Sequence, residues 1–216
     1  KKGDVFEDAT NGFKYELPEV SYKYTAVPDV TPEQGVFDEA GFNEHGVSIS
    51  ATVSASANDK IQKVDPYVKD GLAESALTSV VLPSVKTDPF KENSLPEAAM
   101  LDVILPRVKT AREGVELLAK VIEEKGSAEG NTVVIADQKE TWYMEILSGH
   151  QYVAILFPED RYAVFPNTFF LGHVDFTNTE RTIASKDVEK VARDAGSYKE
   201  IDGQFHVSQS YNPPLH

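Results

Sequence analysis

The stretch NTVVIADQKETWYMEILSGHQYVAILF, residues 131–157, decides the fold class of this 216-residue chain. It holds three apolar or aromatic runs separated by the short polar connections QKE and SGH. Runs of this kind joined by tight turns are typical of an antiparallel meander. The run RYAVFPN, residues 161–167, follows the turn PED and predicts a fourth strand.

Upstream of this meander, the chain predicts strands followed by helices. YELPEVSYKYTAV (15–27) and VSISATVSAS (47–56) predict strands, and the second alternates apolar residues with hydroxyls. That hydroxyl face either lines a site or faces solvent. DGLAESALTSVVLP (70–83) and PEAAMLDVILP (96–106) predict helices, each ending in a proline that stops a helix near the preceding residue.

The segment TAREGVELLAKVIEEKG, residues 110–126, predicts the strongest helix of the chain. Its apolar residues recur at helical spacing. Thr110 with Glu113 predicts a capping box at its start, and Gly126 marks its end.

The last 32 residues predict one more helix and an irregular tail. SKDVEKVARDAG (185–196) has Ser185 as a candidate N-cap and Gly196 as a stop, whereas SQSYNPPLH (208–216) predicts irregular structure. Strands, then helices, then further strands and a final helix indicate the α+β class with mostly antiparallel sheets.

One internal similarity lies between the predicted helices. LTSVVLPSVKT (77–87) and MLDVILPRVKT (100–110) align without gaps and share six of eleven residues. Two copies are too few for a solenoid. We therefore interpret the segment 77–110 as a local duplication or insert, or as a coincidence over a short stretch.

The composition restricts the partners of the chain. With 35 acidic and 21 basic residues, the net charge is −14, and no basic run is present to bind nucleic acid or an anionic membrane. No apolar stretch is long enough to span a bilayer. The absence of cysteine excludes disulfides, thiolate metal sites and a cysteine nucleophile within the chain, and favours a cytoplasmic location.

Neither a metal nor a cofactor motif is present. The five histidines are scattered without metal-ligand spacing: His45, His150, His173, His206 and His216. P-loop, GxGxxG and GxSxG motifs are also missing. We therefore expect neither a metal nor a cofactor.

A single amide interrupts the apolar run VFPNTFF, residues 164–170, at Asn167. The apolar neighbours predict that this amide is buried, and burying an amide without a partner costs about 1–3 kcal/mol. Two explanations remain open from the residues alone. Asn167 is either the polar residue of a Pro-Asn turn or a hydrogen-bond donor kept for chemistry.

Several linked segments carry a resemblance to a known family. KYTAVPD, EAGFNEHGVSISAT, DPYVKDGLAE, WYMEILSGHQYVA and PEDRYAVFPN occur in this order within residues 20–170. Together they resemble the cysteine dipeptidases of the N-terminal-nucleophile (Ntn) hydrolase superfamily, which are related to choloylglycine hydrolases and penicillin V acylases. The resemblance implies an αββα sandwich of antiparallel sheets. It also implies an N-terminal cysteine nucleophile whose own α-amine acts as general base.

The resemblance also assigns roles to individual residues. Asn167 stands where the family places a side-chain amide at the oxyanion, so it is the expected catalytic donor. Related acylases carry a second asparagine on the strand after the NEHG turn, whereas this chain has Thr52, Val53 and Ser54 there. The hydroxyls of Thr52 and Ser54 are therefore the expected substrate contacts, and Asn43 is expected to shape the turn.

These considerations predict a single partial Ntn-hydrolase domain over residues 1–216, an incomplete αββα sandwich. The parent protein is expected to be a cytoplasmic dipeptidase that hydrolyses short peptides, while this chain, which lacks the cysteine, is expected to be inactive alone. The alternatives are an amide-bond acylase and a non-catalytic binding or structural remnant. Self-association, or pairing with the missing part of the parent chain, is expected because an incomplete sandwich exposes sheet edges.

Overall fold

The computed structural model describes residues 4–8, 11–28, 38–52, 55–68 and 94–214. Within these ranges the helices are α1 (Asp59–Val64), α2 (Glu97–Ile104), α3 (Ala111–Lys125), α4 (Val188–Asp194) and α5 (Val207–Tyr211). The strands are β1 (Val5–Glu7), β2 (Lys14–Glu16), β3 (Tyr24–Pro28), β4 (Asp38–Asn43), β5 (Ser48–Thr52), β6 (Asn131–Ala136), β7 (Thr141–Ile146), β8 (Tyr152–Leu156), β9 (Thr182–Ala184), β10 (Glu200–Ile201) and β11 (Gln204–Phe205). The helix predicted over residues 70–83 and the first copy of the internal similarity lie outside the described residues.

A seven-stranded sheet forms the centre of the fold. Its order is β3-β4-β5-β6-β7-β8-β9, so every strand pairs with its neighbours in the chain, and every pairing is antiparallel. Strands β6, β7 and β8 are the meander predicted from residues 131–157. The α+β class with antiparallel pairing is therefore confirmed.

Helices α2 and α3 cover one face of the sheet. Helix α3 begins after Thr110, whose hydroxyl accepts a hydrogen bond from the Glu113 amide (3.1 Å), and ends at Gly126, where φ is +78°. The Glu113 carboxylate accepts from the amide of Lys109 rather than from that of the N-cap residue (2.7 Å). The core on this face includes Met100, Leu118, Val133, Trp142 and Ala154.

The other face of the sheet is covered over only part of its width. Over β7 and β8, a second core joins Tyr143 and Val153 to residues of α1, α4 and α5. Over β4 and β5, the same face is exposed, because Phe42 is 57% exposed and the hydroxyl row of β5 points to solvent. The part of the chain that the structure describes thus forms one broad sheet of the expected sandwich, besides the small hairpins β1–β2 and β10–β11.

The prediction of a fourth strand over residues 161–167 is wrong. Residues 161–172 form an irregular connection between β8 and β9. The reason is that β9, much later in the chain, takes the free edge of β8, with Val153 opposite Ala184. With that edge occupied, the apolar run does not pair with β8 and packs through its aromatic side chains instead.

Two smaller predictions about the C-terminal region also need correction. Ser185 is not an N-cap; α4 begins after Asp187, and the Ser185 hydroxyl accepts a hydrogen bond from the amide of Tyr152 (3.1 Å). The tail is not wholly irregular, because residues 207–211 form α5. Gly196 does follow the end of α4 with a φ of +64°, as predicted.

Candidate active site

A row of polar side chains crosses the sheet on the partly covered face. Thr52 of β5 lies opposite Thr132 of β6, and Thr132 lies opposite Glu145 of β7. The two threonine hydroxyls are 2.8 Å apart. Thr52 is exposed and Glu145 is buried, so the row leads from the open part of the face into the second core.

Glu145 is a fully buried carboxyl group in the middle of the sheet. Its Oε1 atom accepts hydrogen bonds from the Tyr143 hydroxyl (2.8 Å), from the Leu171 amide (3.0 Å) and from the Phe170 amide. Its Oε2 atom is buried without a hydrogen-bond partner. All three donors therefore converge on one oxygen of the carboxyl group.

Burial dominates the electrostatics of this group. It raises the pKa of Glu145 to about 7, although the three hydrogen bonds act in the opposite direction. Burial and the adjacent carboxylate also raise the pKa of Tyr143, so its hydroxyl stays protonated and donates. A carboxyl group with a pKa in this range changes charge near neutral pH.

Two of the three donors come from residues 165–171, which we call the Asn167 segment. Besides the amides of Phe170 and Leu171, the ring of Phe165 stacks on that of Tyr143, with centroids 4.1 Å apart. Phe165 also meets Phe170 edge-on at 5.7 Å. The segment is thus fixed to β7 although it is not a strand.

The segment is held from its other side by Asn212, which follows α5. The Asn212 Oδ1 atom accepts from the Phe169 amide (3.1 Å) and the Thr168 hydroxyl (2.7 Å), and its Nδ2 donates to the Phe169 carbonyl (2.8 Å). Residues 168–170 line a cleft of ≈ 1090 Å³ that Lys60 of α1 and Asn212 also border.

Asn167 lies at the exposed turn of this segment. The Thr168 amide donates to the Pro166 carbonyl (2.8 Å), which closes a three-residue turn around Asn167. The expectation that its amide is buried is wrong, because a segment without strand partners leaves this side chain in solvent. Among the described residues, no hydrogen bond ties the Asn167 side chain to its own turn.

The other expected site residues have separate positions. Thr52 lies at the exposed end of the polar row, whereas Ser54 lies outside the described residues. Asn43 shapes the turn after β4: its side chain donates to the carbonyls of Leu105 (2.9 Å) and Val108 (2.8 Å) and accepts from two amides within the turn. The structure thus places Thr52 on the same row as Glu145, and the Asn167 segment against Glu145.

Glu145 is the residue that the sequence interpretation missed. The signal was present, since Glu145 is the only charged residue of the apolar run TWYMEIL, residues 141–147. Period-two alternation places it on the same face as Tyr143.

Metal ligands do not converge in the described ranges. No group of three or more histidine, cysteine, aspartate or glutamate side chains there is arranged to hold a metal ion. His173 and His206 do meet edge-on, with ring centroids 5.2 Å apart. The Nδ1 atom of His206 accepts from the Gln209 amide at the start of α5, so this ring serves as a helix cap.

Comparison with known proteins finds a matching family and several relatives for this chain. The sequence profile of peptidase family C69 matches residues 1–89 and 85–214, two ranges that meet within the segment 77–110. The protein named probable dipeptidase B of Streptococcus pyogenes serotype M1 is 64% identical over 213 residues, which are 99% of this chain and 38% of that protein.

More distant relatives carry similar names. A probable dipeptidase of Latilactobacillus sakei is 35% identical over 187 residues (87% of this chain, 35% of that protein), and one of Salmonella dublin is 35% identical over 203 residues (94% and 42%). The chain thus spans about two fifths of the length of these relatives. A solved penicillin V acylase from Agrobacterium tumefaciens superposes with a TM-score of 0.40 at 15% identity, covering 72% of this chain and 39% of that one. Within the described ranges, no helix has the length and apolar character to cross a membrane.

Proposed function

This chain belongs to peptidase family C69, and from that membership we propose that the longer polypeptide to which it corresponds is a dipeptidase. The observation that carries the proposal is the 64% identity, over 99% of this chain, to a protein named probable dipeptidase B. Because the chain spans 38% of that relative, the activity is assigned to the longer polypeptide. The substrate class is a short peptide.

We assign the nucleophile to an N-terminal cysteine outside these residues, since the chain contains no cysteine. The α-amine of such a residue titrates near 7.7–8.0 and accepts the thiol proton at neutral pH. The 216 residues alone are therefore expected to be inactive, and their role is to supply substrate-binding and oxyanion-stabilising groups.

Asn167 is our candidate for the oxyanion donor. Three observations support this role: its side chain is exposed, it is not bonded to its own turn, and the residues that follow it are anchored by Asn212 and Glu145. A fixed backbone with a free amide is what electrostatic stabilisation of a developing oxyanion requires. The hydroxyls of Thr52 and Ser54 are our candidates for substrate contacts.

The test is an activity panel on purified proteins. The full-length polypeptide and the 216-residue chain are assayed with a set of dipeptides and with N-acyl amino acids, before and after alkylation of cysteine. We expect dipeptide hydrolysis only by the full-length protein, abolished by alkylation. Preference for the acylated substrates identifies an acylase instead, and no hydrolysis of either class contradicts an enzymatic function.

We also propose that the isolated chain self-associates or pairs with the remaining part of the polypeptide. The edge strand β3 and the open part of the sheet face expose Val27 (63%) and Phe42 (57%), which another sheet can cover. A strictly monomeric elution profile with light scattering contradicts self-association. A cytoplasmic location, supported by the absence of cysteine, is checked by cell fractionation.

A further inference from the structure

Neither strand pairing nor solubility explains why position 145 is a glutamate, because the side chain is buried inside the sheet's second core. It is fully buried in an apolar core, where an unpaired carboxyl group is costly. Its hydrogen bonds reach out of its own strand to Phe170 and Leu171, which are 25 and 26 residues further along the chain. A leucine at this position would avoid the cost of burying a carboxyl group. The hydrogen bonds to Phe170 and Leu171 are therefore the explanation that we test for the glutamate.

We propose that Glu145 is a positioning residue that ties the Asn167 segment to the sheet and thereby fixes the place of the Asn167 amide. The inference rests on the proposed function, in which Asn167 stabilises the oxyanion. Glu145 itself touches no reacting atom in this account.

The geometry explains why one carboxyl oxygen is sufficient for this task. The Phe170 and Leu171 amides lie in a segment that has no strand ladder, so they need an acceptor from elsewhere once they are covered. Glu145 Oε1 supplies it for both, and the Tyr143 hydroxyl holds the same oxygen in place. Asn167 stands only three residues before Phe170, so fixing these amides restricts the turn that carries it.

Because Oε2 of Glu145 has no hydrogen-bond partner, a variant that changes only this atom keeps the three hydrogen bonds to Oε1. A proton on Oε2 leaves Oε1 free to accept all three hydrogen bonds, so the contacts persist in both charge states. Because the pKa of this group is about 7, both states are populated near neutral pH. A glutamine keeps an acceptor oxygen at Oε1 and places its amino group at Oε2, whereas a leucine removes the acceptor.

The first experiment measures amide hydrogen exchange in the full-length protein at residue level. In the wild type, the Phe170 and Leu171 amides are expected to exchange slowly and the Val164 amide, in the exposed part of the connection, quickly. Glu145→Leu is expected to accelerate exchange at Phe170 and Leu171 by at least about tenfold. The Gly126 amide, bonded to the Ile122 carbonyl at the end of α3 (2.9 Å) and outside the Asn167 segment, is the internal control and stays slow.

The second experiment measures dipeptide hydrolysis by the same variants. Glu145→Leu is expected to lower kcat by up to about 10²-fold with little change in KM, since a displacement of about 1 Å has effects of this size. Glu145→Gln is expected to restore kcat to within about threefold of wild type. Tyr152→Phe removes a partly buried hydroxyl–carboxylate bond on the opposite face and is the matched control, with kcat and exchange at Phe170 unchanged.

The outcomes separate this inference from the proposed function. Fast exchange at Phe170 and Leu171 in the wild type, or unchanged exchange in Glu145→Leu, overturns the anchoring contact whether or not the protein is a peptidase. If Glu145→Leu shows fast exchange at Phe170 and Leu171 but an unchanged kcat, the positioning role is overturned. If Glu145→Leu does not fold, Tyr143→Phe, which removes one of the three donors without emptying the core, must still accelerate exchange at these two amides. Absence of all dipeptidase activity contradicts the proposed function, and the exchange data then decide the contact alone.

Discussion

The runs TWYMEIL, residues 141–147, and VFPNTFF, residues 164–170, look alike as sequences: each is apolar and contains one polar side chain. In the structure they are opposites. Glu145 is buried in a paired strand, whereas Asn167 is exposed in a turn without strand partners. The apolar neighbours of Asn167 predict burial, yet its side chain is in solvent, and the charged Glu145 is in the core.

The difference teaches that strand pairing, rather than local hydrophobicity, decides which polar group is buried. Strand β7 pairs on both sides, so its alternation directs every second side chain into the second core. The run at 164–170 does not pair with β8, because β9 occupies that edge. The buried Glu145 carboxyl group accepts hydrogen bonds from the segments packed around it, whereas the Asn167 side chain is exposed to solvent.

The largest expected effect separates these two roles at Asn167. If Asn167 is the oxyanion donor, Asn167→Ala in the full-length polypeptide should lower kcat by about 10²–10³-fold, because that donor is lost. The free energy of unfolding should change by no more than about 0.5 kcal/mol, because the side chain is exposed. Asn178→Ala, at another exposed turn residue, is the control: it removes a long side-chain bond to the Arg181 amide (3.3 Å) and should leave kcat unchanged. Wild-type kcat in Asn167→Ala rules out the donor role.

A buried asparagine should show the reverse pattern. Asn43 makes four side-chain hydrogen bonds and is almost fully buried. Asn43→Ala should therefore lower the free energy of unfolding by about 3–4 kcal/mol, measured by urea denaturation of the purified chain. A loss below about 1 kcal/mol would show that water replaces these bonds and would weaken the contrast between buried and exposed amides.

The raised pKa of Glu145 predicts a pH dependence of stability. Between its ordinary value of 4.5 and about 7, the folded protein keeps a proton on Glu145 that the unfolded chain has released. The free energy of unfolding should therefore fall as pH rises through this window and level off above it, by on the order of 3 kcal/mol.

Urea denaturation at a series of pH values checks this slope. Glu145→Gln, which does not titrate, should remove this contribution while leaving those of Asp38 and Asp102, whose pKa values are also raised by burial. Identical slopes in the wild type and in Glu145→Gln would show that Glu145 is ionised throughout this pH window. Burial would then not raise its pKa.

The smallest expected effect is at the exposed end of the polar row. Thr52→Val removes the hydroxyl contact with Thr132, and cross-strand threonine pairs contribute about 0.2–1 kcal/mol. We expect a loss of stability in this range, and a change in KM for dipeptides with kcat retained if Thr52 contacts the substrate. Ser48→Ala, on the same face at the start of β5, is the matched control. An effect on kcat as large as that of Asn167→Ala would place Thr52 at the reacting atoms instead.

Local signals account for the parts of the fold that could be predicted. The meander β6–β8 is encoded by alternation and short turns, and α3 by Thr110, Gly126 and its apolar spacing. Ser185 and the run at 161–167 were misinterpreted because the deciding partners, Tyr152 and β9, are distant in sequence. Which strand occupies an edge is a property of the assembled sheet, and no local pattern records it.

The candidate site was only partly accessible to the same reasoning. Thr52 and Asn167 came from the resemblance, which places them by motif and not by contact. Glu145 was visible in TWYMEIL as a charge in an apolar strand, yet its partners Phe170 and Leu171 follow from folding alone. The sequence therefore contained the chemistry of the site, while the assembled sheet determines which groups meet.

The central claim, that Glu145 acts through Asn167, is tested most directly by a double-mutant cycle on kcat. The full-length wild type, Asn167→Ala, Glu145→Leu and the double variant are assayed on one dipeptide, with folding checked for each. If Glu145 positions Asn167, then Glu145→Leu has no further effect once the amide is gone, and the double variant has the kcat of Asn167→Ala. If the two losses multiply instead, the residues act independently and the account is contradicted.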